Sequence, residues 1–393
     1  MTHAVQAAAQ RAWLDARNVL LVRLDDLGDV IMSSPAIAAV RHGNPDAKIT
    51  LLTSRSGAAS LGHIPALDDA IVYDAPWTHG QPAGRNAHED KRLINELTMR
   101  QFDAAIIFTA CTQSALPAAL MCRLAGIALR LAYSREDPCD LLTHWLPDSE
   151  ECHTGMRHEV TRQLELVRSV GFHACDERMQ FRYPARDVLS MRRKFVAAGA
   201  DLLRPYVVVH PGAAAASHRY PAERFGIAAQ SIVDETGCQV VFIGGADEQP
   251  LIEQARDPLD QPGISLAGQL TLGELAALIA GAQVIVCNND GPVHIAAAVG
   301  TPVAVLYALT HPQHTPWKVP SLVLNHDVPC RNCLQSVCPE QHHDCLRRVE
   351  PAAVARAALS LIRLPPGVPL SPHSHRPVVP ATTPASLPLT AVH

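Results

Sequence analysis

The sequence predicts an α/β protein made of two doubly wound units that face each other across a cleft. Two observations carry this reading. Strand-like and helix-like segments alternate from Asn18 to about Tyr133 and again from Tyr206 to Tyr307, the pattern of parallel sheets with helices on both faces. Each run also contains an apolar strand that stops in a Gly-containing, carboxylate-bearing turn at a helix start. One is Asn18–Arg23 followed by Leu24-Asp-Asp-Leu-Gly-Asp29; the other is Gln283–Cys287 followed by Asn288-Asn-Asp-Gly-Pro292. Ligands of open α/β sheets gather beyond the carboxyl ends of the strands, so matching turns predict a ligand between the units.

Met1 to Arg17 is Ala-rich and reads as a short helix whose Trp13 and Leu14 pack on the body rather than on a membrane surface. After the first turn a helix is expected from about Val30 to His42. Strands follow at Lys48–Ser54, Ala70–Asp74, Asp103–Thr109 and Leu129–Tyr133, with helices around Asp90–Thr98 and Thr112–Leu124. Val160, Leu164 and Val167 recur at helical spacing, so Arg157–Val170 is a helix. Gly171 to Pro205 is mixed in pattern and holds the expected domain crossing.

The second run reads as strand Tyr206–His210, helix Ala222–Glu235, strand Gln239–Ile243 and a helix near Gln249–Arg256. Then come strand Ile264–Ala267, helix Leu272–Ala280, strand Gln283–Cys287, helix Pro292–Val299 and strand Val303–Tyr307, with Pro351–Arg363 as a last helix. From Pro365 onward Pro, Ser, Thr and His dominate, which predicts a disordered tail. The expected units are 18–184, 185–364 and the tail 365–393.

A chain of 393 residues supplies two or three ordinary domains, and 48% hydrophobic residues with 4% aromatics predict Ala/Leu/Val cores. A formal net charge of −5 argues against a broad nucleic-acid surface. No apolar run is long enough to span a bilayer and no signal peptide is evident, so the cytoplasm is the expected compartment. The eleven cysteines then read as thiols or metal ligands rather than disulfides. Neither turn carries G-x-G-x-x-G, which counts against a dinucleotide oxidoreductase.

Asn289, Asp290, Gly291 and His294 crowd the point where the later apolar strand ends and Pro292 opens an Ala-rich helix. Free backbone N–H groups and the positive end of a helix dipole suit a phosphate there. An ordinary turn capped by Asp290 is the alternative.

Together these residues resemble glycosyltransferase family 9, the ADP-heptose:lipopolysaccharide heptosyltransferases. The motifs are V-R-L-D-D-L-G-D-V with S-S-P-A, V-V-V-H-P-G-A with R-Y-P-A-E-R-F, F-I-G-G-A-D-E, and N-D-G-P-V-H-I-A-A-A-V-G-T-P, in that order between Asn18 and Arg363. The resemblance implies the GT-B architecture of two Rossmann-like domains, the acceptor held mainly by the first and the nucleotide-sugar by the second. It implies inversion without a catalytic metal, Asp29 as general base, and Gly28 as the point where the acceptor approaches the backbone. Asp29 as a helix cap is the alternative. Asp25 and Asp26 are expected to be solvated or to touch the acceptor, with Asp25 the second candidate for the base.

An inverting transfer needs a base opposite a leaving diphosphate, and the diphosphate needs compensation. Backbone N–H groups at Gly212, Ala213 and Ala214 and at Gly291 to Val293 are expected to supply it with a cation. Many relatives have Lys-x-Trp-Pro where this chain has His218-Arg219-Tyr220-Pro221. The lysine is thus replaced by His218, and Arg219, charged at any physiological pH, is expected to take its role. Glu248 matches the acid that holds the donor ribose. Asn289 stands where many relatives have Asp, and Asp290 stands where Thr or Ser commonly approaches phosphate. A carboxylate there repels the donor unless it turns away. His294 is expected to wall the site rather than act as a base.

Cys330, Cys333, Cys338 and Cys345 lie within sixteen residues, with His342 and His343 between them. Such soft ligands suit tetrahedral Zn or Fe. Relatives carry similar runs, and autotransporter heptosyltransferases are associated with an iron-bearing cysteine finger. A structural Zn or Fe is the expectation, with free thiols or disulfides as alternatives. The implied partners are an ADP-heptose donor, a lipopolysaccharide core acceptor (or another glycan or a protein hydroxyl) and a peripheral contact with the inner membrane. An inactive nucleotide-binding scaffold of the same shape is the reading from another class.

Overall fold

The computed structural model describes residues 10–78, 87–150, 156–308, 312–330, 332–335 and 337–362. The first half comprises β1 (Asn18–Arg23), α1 (Leu27–Gly43), β2 (Lys48–Thr53), α2 (Arg55–Ala58), β3 (Asp69–Val72), α3 (Ala87–Arg100), β4 (Ala104–Ile107), α4 (Leu116–Leu124), β5 (Leu129–Ser134), β6 (His144–Pro147) and α5 (Glu159–Arg168). The second comprises α6 (Ala185–Ala197), β7 (Tyr206–His210), α7 (Ala222–Thr236), β8 (Gln239–Phe242), α8 (Gln249–Arg256), β9 (Ile264–Ser265), α9 (Leu272–Ala280), β10 (Ile285–Asn288), α10 (Gly291–Val299), β11 (Val303–Leu306), β12 (Ser321–Leu324), α11 (Asp344–Arg347) and α12 (Pro351–Ile362).

Each half is a six-stranded parallel sheet, ordered β3-β2-β1-β4-β5-β6 and β12-β11-β10-β7-β8-β9. Taken from the opposite edge, the second order repeats the first. In both, the order reverses beside the first strand, between β1 and β4 and between β7 and β10. Crevices for ligands open at such reversals. The central strands are apolar and buried because helices cover both faces: Val19, Leu20, Leu21 and Val22 of β1 are all inaccessible. Arg23 ends that strand and is equally buried, so its charge needs partners inside the protein.

Several elements depart from the sequence reading. Helix α1 begins at Leu27, so Asp29 lies in its first turn rather than before it. Its interior Pro35 has no N–H to give, and the Ser34 hydroxyl donates instead to the Ile31 carbonyl at 2.6 Å. Helix α4 starts at Leu116, with Pro117 in its first turn. Residues 112–115 stay outside it, and Gln113 uses its side chain elsewhere. Strands β6 and β12 are four-residue edge strands absent from the sequence reading, and α6 occupies the segment expected to hold the crossing. Trp13 is 1% exposed and meets His144 edge-on, so it packs on the body. Residues 1–9 and the expected tail at 365–393 lie outside the described residues. No helix among the described residues is long and apolar enough to cross a membrane.

Candidate active site

At the end of β1 each guanidinium nitrogen of Arg23 faces a different carboxylate. Nη2 donates to Asp29 Oδ1 at 2.9 Å and Nη1 to Glu159 Oε1 at 2.7 Å, while Nε makes an ion-pair contact with Asp25 Oδ2 at 2.9 Å. Glu159 opens α5, and Gln163 one turn later donates to the same Oε1 at 2.5 Å. Asp29 Oδ2 accepts the Asp26 N–H at 3.3 Å. Asp29 therefore does cap the helix, with one oxygen, while the other meets the guanidinium.

The side chains of Arg23 and Glu159 are 0% and 2% exposed, and those of Asp25 and Asp29 are 14% and 22% exposed. Asp29 is the member of this cluster most open to the cleft. Burial works to raise its carboxyl, but Arg23, helped by His314 and His294, outweighs burial and holds it below the usual carboxylate range. For Asp25 burial dominates and pushes the carboxyl up against the pull of Arg23. Asp25 is thus enclosed rather than solvated. Its Oδ1 accepts from Gln113 Nε2 at 2.5 Å, and both residues line a cavity of about 170 Å³ with Trp77, Thr78, Thr112 and Ser114.

In the second half Asn288, fully buried at the end of β10, ties two loops together. Its amide nitrogen donates to the Pro211 and Gly212 carbonyls at 2.9 and 3.1 Å, and its oxygen accepts the Tyr220 N–H at 3.0 Å. Glu248 closes on the same turn. It lies 3.2 Å from His210 Nε2 and accepts the Gly245 N–H at 2.8 Å. A β-carbon on Gly212 would stand 1.8 Å from Glu248 Oε1, so glycine lets the carboxylate lie on the backbone and any side chain there would displace it. The hydrogen bond from His210 leads the effects that hold the Glu248 carboxyl below its ordinary range. Arg219 Nε donates to the Ala213 carbonyl at 2.9 Å, which fixes the guanidinium over this loop. Burial pushes the His218 imidazole below its usual range, opposed by Asp290, so the neighbouring Arg219 is the better fixed cation.

The two halves meet at their helix starts. His294 in the first turn of α10 lies against Gly28 in the first turn of α1: a β-carbon on Gly28 would be 2.6 Å from His294 Cδ2. Asp26 and Asp290 are close enough that Asp290 adds to burial and Asp29 in raising the Asp26 carboxyl. Burial, then the neighbouring His314, brings His294 down to about 3; it is neutral at physiological pH and too weak to serve as a base. His294 Nδ1 and Asn289 Oδ1 are buried and take no hydrogen-bond partner among the described residues. Asp290 is the residue before α10, with no side-chain bond to the helix, and a β-carbon on Gly291 would meet open space.

The structure therefore brings Gly28, Asp29 and His294 together and assembles Gly212, Ala213, Arg219 and Glu248 around one loop. Sequence reasoning missed Arg23, Glu159, Gln113, His210 and Asn288. For Arg23 and Asn288 a signal existed, since each is a polar residue closing an apolar strand.

Of the cysteine run, Cys338 and Cys345 are buried and Cys330 and Cys333 half-buried, all as free thiols. Cys330 Sγ lies 3.8 Å from His342 Nε2. Burial, with the other three thiols as lesser causes, pushes Cys345 up to about 11. The donor types suit a soft ion. Among the described residues, however, the group whose ligand atoms converge within 4.8 Å is Cys111, Asp148 and Glu150. Asp148 there is held by both Nη atoms of Arg162 at 2.9 Å, and Glu150 by Arg157. These ion pairs account for that cluster.

Comparison with known proteins adds three findings. The pattern of glycosyltransferase family 9 (heptosyltransferase) matches residues 91–343. Lipopolysaccharide heptosyltransferase 3 of Escherichia coli is 26% identical over 299 residues, 74% of this chain and 83% of that protein. Among solved structures, a family 9 glycosyl transferase from Veillonella parvula superposes with a TM-score of 0.73 at 18% identity, covering 88% of this chain and 97% of that one. The E. coli ADP-heptose lipopolysaccharide heptosyltransferase II gives 0.68 at 21% identity, with 88% and 98% covered. The two parallel six-stranded sheets share the GT-B fold of these structures.

Proposed function

The chain belongs to glycosyltransferase family 9, the heptosyltransferases, and from that premise we propose that it moves heptose from ADP-heptose to a lipopolysaccharide inner-core acceptor, with inversion and without a catalytic metal. The observation that carries the reading is the contact of His294 with Gly28. A donor held by the second half would end where the first half offers Asp29.

In this mechanism the acceptor hydroxyl oxygen attacks the anomeric carbon as the bond to the ADP oxygen breaks. The hydroxyl proton passes to an Asp29 carboxylate oxygen, and ADP leaves with the bond's electron pair. Arg23 costs Asp29 some basicity but keeps it ionised through the physiological range, ready to accept. A positioned base contributes roughly a hundred- to ten-thousand-fold in rate. Backbone N–H groups of Gly212, Ala213, Ala214 and Gly291, with Arg219, would meet the charge that grows on the diphosphate; Pro292 has no N–H to offer, and that of Val293 donates to the Asp290 carbonyl at 3.0 Å. Glu248 would accept hydrogen bonds from the donor ribose hydroxyls. Asn289, with an unmet buried oxygen, would serve the donor, and Asp290 would turn aside from the phosphates. Asp25 and Asp26 would face the acceptor. The reaction would take place at the cytoplasmic face of the inner membrane, where that acceptor is built. The four-cysteine segment would hold one structural Zn or Fe, a staple rather than a part of the chemistry.

The test is turnover of ADP-heptose by the wild type and by Asp29→Asn, with an O-deacylated inner-core lipopolysaccharide as acceptor. Asp29→Asn should lose at least a hundred-fold in kcat and bind ADP normally. Near wild-type transfer by Asp29→Asn, with Asp25→Asn inactive, would move the base to Asp25. Transfer only to protein or to another glycan would change the acceptor class. ADP binding without any transfer would leave a nucleotide-binding scaffold.

A further inference from the structure

A buried arginine at the end of an apolar strand is costly unless it is fully paired. Arg23 is paired three times over, with two partners in the cleft wall and one, Glu159, sealed behind it. Of the two cleft partners, Asp29 accepts a direct hydrogen bond from the guanidinium. Its other oxygen accepts the N–H of Asp26, the residue just before α1, so the carboxylate is held at both ends. We propose that Arg23 is the positioning residue of this site: it fixes the Asp29 carboxylate toward the cleft and keeps it in its proton-accepting form, while Glu159 anchors the guanidinium from behind. Because Arg23 Nε also faces Asp25 on the wall of the Trp77–Gln113 cavity, the same guanidinium links that cavity to the base.

Every charged or titratable group around Asp29 bears on this. Arg23 from β1, with His314 from the second half, favours the ionised form, and His294 adds to this only where its own imidazole is protonated. Asp29 itself acts on Asp25 and Asp26 in the preceding turn as a like charge, and Glu159 from α5 lies on the far side of Arg23. The cluster thus sets one guanidinium against several carboxylates. Removing the guanidinium should raise the Asp29 titration midpoint. Removing the Glu159 charge should release more of Arg23 to Asp29 and lower it. A structural role alone predicts no such opposite movement.

The role as base rests on the transferase reading, but the first measurement does not. Carbon-13 NMR of aspartate-labelled protein, with the Asp29 signal assigned by its loss in Asp29→Asn, reads the carboxyl directly. In the wild type its midpoint should lie below that of an ordinary aspartate, as the Arg23 guanidinium beside it requires. In Arg23→Gln its midpoint should rise by more than one unit, and in Glu159→Gln it should move down or stay. An unchanged midpoint in folded Arg23→Gln overturns the proposal. Should Arg23→Gln fail to fold, the double variant Arg23→Gln/Glu159→Gln removes one charge of each sign and should still show a rise, smaller than that of Arg23→Gln because the loss of the Glu159 charge works the other way; an unchanged or lowered midpoint in it overturns the proposal. Arg23→Lys keeps the charge but brings it on one nitrogen, without the planar fork whose separate nitrogens reach Asp25, Asp29 and Glu159. With ADP-heptose and the O-deacylated core acceptor it should keep the low midpoint and lose at least ten-fold in kcat at unchanged donor KM. Wild-type kcat in Arg23→Lys would overturn the positioning. Inactivity of the wild type on this pair would count against the transferase reading and leave the NMR result standing.

Discussion

Gly28 and His294 come from opposite halves of the chain, and the imidazole fills the space that a side chain on Gly28 would need. Glycine at 28 is therefore set by the neighbouring domain, since its own backbone in the first turn of α1 has no positive φ. His294 is buried and fixed on α10, so it cannot move aside at small cost.

Gly28→Ala should consequently separate the two helix starts. Overpacking of this kind costs about 1–3 kcal/mol, and it acts here on the distance between donor and base. We expect ADP affinity to stay within two- to three-fold of wild type and kcat to fall at least ten-fold. His294→Ala added to Gly28→Ala should restore part of both stability and kcat, a coupling that a thermal melt and a double-mutant cycle would read. Independent, additive losses would show that the two residues do not meet in solution.

Much of this arrangement was legible in the sequence because α/β alternation and strand-ending turns are local signals. The positions of β1, α1, β10 and α10 follow from apolar runs broken by polar, Gly-bearing turns, and the motif order named the family. What was not legible is what the turns touch. Glu159 is 136 residues from Arg23, and no local pattern announces that α5 brings a carboxylate behind β1. Asn288 looked like turn chemistry, yet it binds loops 76 and 77 residues away. The α1 start was placed late because Leu27-Gly28 reads as loop, whereas the Asp26 N–H bond to Asp29 extends the helix back to Leu27. Edge strand β6 (His144–Pro147) lacks the apolar density that marks buried strands, and the apolar run of β12 is only three residues long.

The close approach of Glu248 to Gly212 makes a second prediction. If the carboxylate holds the donor from this position, Gly212→Ala should displace it and weaken ADP binding as strongly as Glu248→Ala does. The double variant should then bind no worse than either single one, because the same interaction is lost in each. Calorimetric titration with ADP measures all four proteins. A loss in Glu248→Ala of less than two-fold would remove this residue from the donor site, and additive losses would separate the glycine's effect from the carboxylate's.

The cysteine segment gives the last prediction. Its four cysteines are free thiols, with Cys330 Sγ 3.8 Å from His342 Nε2, and the described residues between them carry little regular structure beyond α11. Left-handed backbone at Asn332, Leu334, Gln341 and His343 is frequent here, a conformation that costs energy for residues other than glycine. A soft ion bound by Cys330, Cys333, Cys338 and Cys345 would supply what a short apolar segment cannot, since metal binding of this kind contributes directly to folding free energy. Protein purified without chelator should hold about one Zn or Fe per chain by elemental analysis. Cys338→Ser should lose it and make the loop protease-sensitive, with ADP binding retained by the separate Gly212–Glu248 loop. A metal-free, fully folded chain with all four thiols open to alkylation would exclude the staple.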